Sequence, residues 1–557
     1  MPAQKAIPIG REDFKDIIDK QCYFVDKTLL IRDIIDSGAG VTLFTRPRRF
    51  GKTLNMSMLR RYFEKTEQDN SYLFDGLKIA DSGERYAAYM GTYPVISISL
   101  KGLGQASYED TFYELKNLIA GEVWRHKDLL QADSLMPSAR KKLEQICNDE
   151  APDNVYYTAL KLLCDCLYNA YGRKVIVLID EYDVPLQSGY KFGYYEKMLQ
   201  LIRTVFESIL KTNDSLEFAV LTGCLRISRE SIFTGLNNLK VNSIKDMDCS
   251  EYFGFTESEV RELTDYYGVS EKFDEIRTWY DGYRFGKTEI YNPWSVLGYI
   301  STAVQNPDAP ADQYWSNTSS NDIIHELIVK GDRSTKNDVE TLITGGTLEK
   351  PLYDDITYSN MDVNSEYVWS FLLHTGYLKP LRIYQKGIQN YFTAVIPNTE
   401  IVTIYENTFR TWFNTSVRVA DKSVLLNAVL NGDADTFETE VNKWLLRSIS
   451  YHDGYENFYH GFLVGLLEYS DDYLVESNRE QGTGRSDILI KNILTKEAVI
   501  IEVKTVHRGE TLEGQCDLAL KQIEDRIYDM HLDLERYRKI TKYGIAFQEK
   551  QCRVKMA

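Results

Sequence analysis

Residues 41–53 read VTLFTRPRRFGKT and decide the fold class of the first part of this chain. Their apolar beginning predicts a buried strand, and the spacing of apolar residues in the stretch that follows predicts a helix over residues 53–63. A basic loop ending in Gly-Lys-Thr joins the two. This order is that of the phosphate-binding P-loop, G-x-x-x-x-G-K-[ST], although Arg46 occupies the position of the first glycine.

The altered loop retains the groups that hold a nucleotide phosphate. Backbone N–H groups and the helix N-terminus would surround the β-phosphate, while Lys52 adds charge and Thr53 binds Mg²⁺. Without the first glycine the turn needs a geometry that arginine can reach, and Pro47 helps to fix it. A chance Gly-Lys-Thr is the alternative for this motif alone. The candidate nucleotide-binding residues of the loop are Arg46, Pro47, Arg48, Arg49, Phe50, Gly51, Lys52 and Thr53.

A second apolar strand, VIVLIDE at residues 175–181, ends in two acids and supports the phosphate site. In this Walker B arrangement Asp180 holds Mg²⁺ and Glu181 polarises the attacking water. A third strand ends at Thr222, where a polar sensor of the γ-phosphate is expected, and Arg226 nearby is a candidate cis arginine. Acidic strand ends are common in loops, and a turn with a surface arginine explains the last two residues equally well.

An acid–acid–lysine set lies near the C-terminus. Asp487 opens one predicted strand, while Glu502 and Lys504 close the next and share one of its faces. Two carboxylates and a backbone carbonyl form an oxygen site for Mg²⁺, which lowers the pKa of a bound water. Lys504 would position that water or stabilise charge on a phosphate. Gln522 on the following helix would orient the site, and Glu456 on the preceding helix would extend the acidic cluster.

The pattern D-x(14)-E-x-K is weak by itself, because exposed acids and lysines on a strand often produce it. Its context is stronger, since Glu502 and Lys504 interrupt a buried apolar run and charges in such a run need a reason. We therefore predict a metal site at these residues.

Size and composition limit the alternatives. At 557 residues and 43% hydrophobic residues, the chain is expected to fold into several globular domains. The apolar runs are too short to span a membrane and the N-terminus has no apolar signal core, so we expect a cytoplasmic protein without membrane contact. The eight cysteines form no C-x-x-C pair and are interpreted as reduced, buried thiols. The net charge of −17 excludes a histone-like positive coat but permits a local basic groove.

Strands alternate with helices over about 200 residues at the start of the chain, which predicts an α/β domain with a parallel sheet. A mostly helical middle region follows, and a smaller α/β unit begins near residue 450. Eight stretches along nearly the whole length form a specific combination: YFVDKT (23–28), RPRRFGKT (46–53), LIDEYDVPL (178–186), LTG (221–223), FTGLNN (233–238), YNPW (291–294), GRSD (484–487) and EVK (502–504).

In this combination the chain resembles bacterial AAA-ATPase-like proteins that carry a predicted PD-(D/E)XK nuclease domain at the C-terminus. The resemblance implies an AAA-like P-loop ATPase core over 1–230, a helical lid or winged-helix-like region over 231–445, and a restriction-endonuclease-like α/β domain over 446–557. It also implies that Arg46 is a family trait, and it matches Gln522 and Tyr528 to the helix that follows the active-site strands.

Our first hypothesis is an enzyme, an ATP-driven or ATP-gated nuclease that cuts DNA or RNA with Mg²⁺. Its catalytic residues would be Glu181, Asp487, Glu502, Lys504 and Gln522. The alternative is a nucleotide-switched regulatory or interaction protein whose nuclease fold binds nucleic acid or a partner without cutting. A third hypothesis, an inactive P-loop beside a working nuclease, rests on Arg46. The substrate stays open, and so does the oligomeric state, including a homo-oligomer.

Overall fold

The structure is a computed structural model that describes residues 4–225, 232–233, 238–315, 333–354, 356, 366–408, 423–448, 456–467, 473–481, 484–492, 495–507, 509–525, 537–548 and 551–557. The chain forms two compact units. The first comprises Met1–Ser320 with Thr347–Ile404, and the second comprises Asn321–Gly346 with Tyr405–Ala557. These units group the residues differently from the three domains inferred from the sequence, whose boundaries at 230 and 445 stay predictions.

The helices are α1 (Phe14–Asp19), α2 (Leu29–Ser37), α3 (Lys52–Phe63), α4 (Glu84–Ala87), α5 (Tyr108–Arg125), α6 (Pro137–Cys147), α7 (Asp153–Tyr156), α8 (Ala159–Tyr171), α9 (Val184–Phe192), α10 (Tyr195–Leu210), α11 (Glu257–Tyr267), α12 (Phe273–Tyr280), α13 (Pro293–Gln305), α14 (Arg333–Ile343), α15 (Glu366–Thr375), α16 (Ser423–Asn431), α17 (Ala434–Ser448), α18 (Glu456–Leu467) and α19 (Leu512–Asp525). Residues 399–408 are also helical.

The strands are β1 (Val41–Thr45), β2 (Val95–Ser99), β3 (Val175–Asp180), β4 (Leu216–Gly223), β5 (Leu239–Asn242), β6 (Tyr283–Phe285), β7 (Thr288–Ile290), β8 (Leu348–Pro351), β9 (Lys379–Lys386), β10 (Gln389–Val395), β11 (Leu474–Gln481), β12 (Gly484–Asn492), β13 (Glu497–Thr505), β14 (Lys539–Gln548) and β15 (Gln551–Met556).

A parallel five-stranded sheet in the order β2-β3-β4-β1-β5 forms the base of the first unit. Every residue of β1 and β3 is buried, as expected for central strands of a parallel sheet whose two faces are covered. Strand β4 lies between the strand that leads into the phosphate loop and the strand that ends in the acids. The carboxyl ends of these three strands therefore meet at one edge, which confirms the predicted α/β parallel sheet.

The middle of the chain is helical over α11–α13 and α15, as the sequence predicts. It also contains the β6–β7 hairpin and an antiparallel sheet in the order β8-β10-β9, which the sequence analysis did not predict. Helices α11, α12 and α13 share a core that includes Val260, Ile276 and Val296. This part of the chain positions the aromatic residues that surround the phosphate loop.

The second unit is built on a mixed sheet in the order β11-β12-β13-β14-β15. Strands β13 and β14 are parallel, and the other neighbours are antiparallel. Side chains of α16, α17 and α18 form a core with one face of this sheet, whereas Ile523 of α19 packs with Leu489 and Ile500 on the other. Phe437 and Val441 of α17 belong to the first of these cores. The second compact unit therefore includes residues that precede residue 446.

Among the described helices, none combines the length with the apolar composition that a membrane span requires. All eight cysteines are free thiols, and six of them are buried, as the sequence predicts for a reduced chain.

Candidate functional site

The phosphate loop places a helix N-terminus at the carboxyl edge of the parallel sheet. Helix α3 starts at Lys52, directly after Gly51, which has a left-handed φ of 81° that glycine adopts at no steric cost. No side chain among the described residues caps this helix. Its first N–H groups therefore face the loop without a side-chain acceptor, as an anion site requires.

Lys52 lies across the inside of the loop. Its side chain is buried, and Nζ donates to the carbonyl oxygens of Arg46 at 3.2 Å and Pro47 at 3.1 Å. Nζ also lies 3.4 Å from Oε1 of Glu181. Burial alone lowers the pKa of Lys52, but the neighbouring Cys224 and Glu181 raise it above its ordinary value. The amine is therefore charged and positioned for an anion in the loop.

The acidic end of β3 meets the start of α3. Thr53 Oγ1 donates to Oδ2 of Asp180 at 2.8 Å, and Thr222 on β4 donates to the other carboxylate oxygen. Burial and the nearby Glu181 raise the pKa of Asp180, while these two hydrogen bonds lower it. Glu181 has a φ of 53°, a strained conformation for a non-glycine residue that recurs at functional sites. The hydroxyl and carboxylate oxygens proposed to hold Mg²⁺ are thus adjacent.

Arg46, which replaces the first glycine, directs its side chain away from this loop. The guanidinium is fully buried between the rings of Phe253 and Phe285, at 5.2 and 5.0 Å, and donates to the backbone oxygen of Asn242 at 2.9 Å and to its Oδ1 at 2.6 Å. Burial lowers the pKa of Arg46 to about 10. Its φ is not positive, so an arginine fits the turn. The side chain therefore connects the loop to β5 and to the β6–β7 hairpin. Only the backbone of Arg46 is placed to contact a nucleotide, and that contact stays a prediction.

A cavity of about 360 Å³ adjoins the loop within the first unit. Its size lies within the range of small-molecule pockets, roughly 300–1,000 Å³. The lining combines apolar and aromatic side chains with charged ones near the phosphate loop, including Tyr23, Phe255 and Leu297 in the first group and Arg48 and Lys52 in the second. Such a lining fits a ligand that has a flat apolar part and an anionic part.

The sequence analysis missed Asp183. Its carboxylate is buried, and Oδ2 accepts backbone N–H groups of Cys224 at 2.8 Å and Leu225 at 3.1 Å, directly after β4. Burial and the charge of Glu181 raise the pKa of Asp183 to about 6, although Lys52 opposes the rise. The only sequence signal was a third acid, two residues after the Asp-Glu pair. Asp183 fixes the end of β4, the strand that carries the predicted sensor.

We expect Gly223→Ala to destabilise the first unit by roughly 1–3 kcal/mol, because overpacking a closed core costs that much. A Cβ at Gly223 would lie 2.5 Å from the Tyr182 ring and 2.8 Å from Asp183 Oδ1. Gly121→Ala in α5 is the matched control, since a Cβ there meets nothing within 4 Å. Thermal unfolding measures both variants, and equal melting temperatures would contradict the expectation.

The C-terminal sheet brings the predicted acid–acid–lysine set together. Ile488 pairs with Ile501 across antiparallel β12 and β13, so Asp487 lies opposite Glu502. Oδ2 of Asp487 accepts the N–H of Val503 at 2.8 Å, and Lys504 Nζ lies 3.2 Å from Glu502 Oε1. Gln522 on α19 donates to the same oxygen of Glu502. The four predicted residues therefore converge on one face of the sheet.

Burial and neighbouring charges act strongly on the Glu502 carboxylate of this site. It is 1% exposed, and its Oε2 has no hydrogen-bond partner in the part of the chain that the structure describes. Burial and the charge of Asp487 raise its pKa to about 7, although Lys504 opposes the rise. A divalent cation would give this buried oxygen a partner and favour its charged form. The donor set therefore fits an oxygen-liganded metal.

The described residues contain no group of three His, Cys, Asp or Glu side chains that could hold a metal ion. Further ligands to a cation at Asp487 and Glu502 would therefore come from backbone oxygens, water or phosphate. The sequence analysis also missed His460 on α18, whose Nε2 lies 2.7 Å from the backbone oxygen of Asp487. The side chain of Glu456, and the whole of Arg226 and Tyr528, lie outside the described residues.

The pKa of Glu502 predicts a pH-dependent stability. Because the pKa rises from 4.5 to about 7 on folding, the folded state binds this proton more tightly. Without metal, the free energy of unfolding should therefore fall by up to about 3 kcal/mol from this group as the pH rises from 4.5 to 7. Glu502→Gln should remove that fall. Unfolding of both proteins in EDTA at pH 5 and pH 8 measures the difference, and parallel profiles would contradict it.

Comparison with known proteins matches two parts of the chain to known families. Residues 8–233 match the family described as predicted AAA-ATPase, and residues 454–557 match the PD-(D/E)XK nuclease superfamily. An "uncharacterized protein in vnfD 5'region" of Azotobacter chroococcum mcd 1 is 26% identical over 403 residues, which are 72% of this chain and 69% of that protein. The Walker-type ATPase PABY2304 of Pyrococcus abyssi is 14% identical with a TM-score of 0.35, over 69% of this chain and 96% of that one. The chain thus joins a predicted AAA-ATPase domain to a C-terminal PD-(D/E)XK nuclease superfamily domain.

Proposed function

We propose that this protein binds and hydrolyses ATP at the phosphate loop and cuts phosphodiester bonds of nucleic acid with Mg²⁺ at the C-terminal site. The observation that carries the proposal is the grouping of Asp487, Glu502 and Lys504 on one face of the sheet, with a buried carboxylate oxygen left for a cation. The order of the two matched families supports it.

At the ATP site the charges act on the phosphates and on water. Lys52 would bind the β- and γ-phosphates, while Thr53 and Asp180 would hold Mg²⁺, which when bound neutralises phosphate charge. Glu181 now lies 3.4 Å from the Lys52 amine. A phosphate that binds the Lys52 amine would replace the Glu181 carboxylate as its partner. The carboxylate would then be free to orient the attacking water. Thr222 bonds to Asp180 and would contact the γ-phosphate as the polar sensor predicted from the sequence.

At the C-terminal site, Asp487 and Glu502 would hold Mg²⁺, which when bound polarises a phosphoryl oxygen and lowers the pKa of a bound water. Gln522 donates to one oxygen of Glu502, and the other, Oε2, would be left to hold the cation. Lys504 lies on the same face and would stabilise the charge that develops on the cleaved phosphate. Each residue therefore has a separate part in positioning, charge or water activation.

A nuclease assay tests the proposal with single- and double-stranded DNA and RNA, with Mg²⁺ or Mn²⁺, and with and without ATP. We expect cleavage of at least one substrate by the wild-type protein and none by Asp487→Ala. If the protein binds ATP and yet cleaves nothing on this panel, the nucleotide-switched interaction protein is the better explanation. Binding of the same nucleic acids, measured by anisotropy, then identifies the partner.

A further inference from the structure

One cation of the phosphate-loop cavity differs from its neighbours. Carboxylates form ion pairs with four of the cavity's cations: Arg11 with Asp16, Lys27 with Glu259, Lys52 with Glu181 and Lys101 with Glu12. Arg48 donates a hydrogen bond to Gln187. The guanidinium of Arg49 has neither an ion pair nor a hydrogen bond among the described residues. A positive charge without such a partner, next to Lys52, is available to an anionic ligand.

Arg49 instead stacks on an aromatic ring. Its guanidinium lies 4.3 Å from the centre of the Trp294 ring, and its backbone has a left-handed φ of 69°. Both residues line the cavity. The conformation is strained for a residue with a Cβ, and strain of this kind clusters at ligand clamps and switch regions. The stack therefore joins the phosphate loop to a residue outside it.

Two hydrogen bonds hold Trp294 at the start of α13. Its N–H is accepted by Asn292 Oδ1 at 3.0 Å, which caps α13, and its indole N–H donates to the Tyr314 backbone oxygen at 3.2 Å. The remainder of α13 is anchored through Val296 in the core shared with α11 and α12. A change at the Trp294 ring is thus a change at the start of a well-packed helix, and the stack links that helix to the loop.

We propose that Arg49 senses the phosphate groups of a bound nucleotide by exchanging Trp294 for phosphate oxygens. A charge-assisted, bidentate contact of arginine with phosphate is stronger than a partly exposed cation–π contact. A bound phosphate should therefore displace the Trp294 ring from the Arg49 guanidinium. The exchange releases Trp294 and so uncouples α13 from the loop. This inference rests on the proposed nucleotide binding, and it adds which side chain recognises phosphate charge and which helix receives the signal.

Tryptophan fluorescence of the full-length protein tests the exchange. MgAMP-PNP, a non-hydrolysable ATP analogue, should change the emission of the wild-type protein, and adenosine, which has no phosphate, should not. Trp294→Phe should lose the change and still bind AMP-PNP. Arg49→Gln should lose both the change and about tenfold to a hundredfold of the AMP-PNP affinity, with the affinity for adenosine unaltered. Arg49→Lys, which keeps the charge, should recover part of that affinity.

Arg261→Gln is the matched control. Arg261 lies 3.7 Å from the Phe273 ring centre in the same unit and does not line the cavity, so its loss should leave the titration unchanged. Wild-type affinity in Arg49→Gln, or an emission change that persists in Trp294→Phe, overturns the inference while nucleotide binding stands. Equal losses for AMP-PNP and adenosine indicate a merely structural Arg49 and also overturn it. A wild-type protein that binds no nucleotide refutes the proposed function and this inference together.

Discussion

We expect Lys52→Ala to weaken ATP binding by roughly a hundredfold or more and to abolish the proposed ATP hydrolysis. The buried amine is the charge placed inside the phosphate loop, where it now donates to two loop carbonyls and neighbours Glu181. Alanine supplies neither the charge nor the donors, and α3 alone cannot replace them. Calorimetric titration with MgATP measures the affinity, and phosphate release measures the hydrolysis.

Lys116→Ala controls for the loss of a lysine in the same unit. Lys116 pairs with Asp153 at 2.7 Å and does not line the cavity, so ATP binding should be unchanged. Circular dichroism and thermal unfolding show whether Lys52→Ala still folds. An unchanged nucleotide affinity in a folded Lys52→Ala protein would remove both the ATP-coupled nuclease and the nucleotide-switched interaction protein from consideration.

We expect Asp487→Asn to reduce the proposed Mg²⁺-dependent cleavage by at least about a hundredfold, because even residues that only support metal ligands contribute 10- to 100-fold. The amide keeps an acceptor for the N–H of Val503, so the local fold should persist while the negative charge is lost. ATP hydrolysis should continue, since the phosphate loop belongs to the other compact unit. Parallel nuclease and ATPase assays on one preparation measure both activities.

Asp517→Asn is the control for this variant. Asp517 is exposed on α19 of the same unit and pairs with Lys555 at 2.7 Å, so its neutralisation should not affect cleavage. Cleavage that survives in Asp487→Asn would show that the acid–acid–lysine set does not perform the chemistry. Cleavage lost in both variants would instead indicate that a general reduction of negative charge is responsible.

Local patterns were sufficient to predict much of the fold. The apolar runs of β1 and β3, the helix after the phosphate loop and strands β12 and β13 of the C-terminal sheet all appear in the sequence within a few residues of their observed bounds. Strands β5 and β15 were not predicted, because half of their residues are polar and they become strands by pairing with β1 and β14. The sequence of residues 153–171 indicates one helix, whereas the structure divides this stretch into α7 and α8.

Each of the two sites also contains residues that the sequence predicts and residues that only the structure reveals. Lys52 and Thr53 are recognisable because a P-loop is a contiguous motif, and Glu502 with Lys504 because the period of a strand places both on one face. Asp183 and His460 were missed, since an acid or a histidine has no meaning in a sequence until its partner is known. Their partners are backbone groups of Cys224, Leu225 and Asp487, which only folding brings near.

Residue types and their spacing are sufficient to indicate a phosphate loop followed by an acidic strand end, and two acids with a lysine at the other end of the chain. The tertiary structure alone decided what Arg46 does in place of a glycine. Its guanidinium bonds to Asn242, 196 residues away in the chain, and lies between Phe253 and Phe285. The physical reason is that a loop motif specifies backbone shape locally, whereas a long side chain takes its role from whatever the fold packs around it.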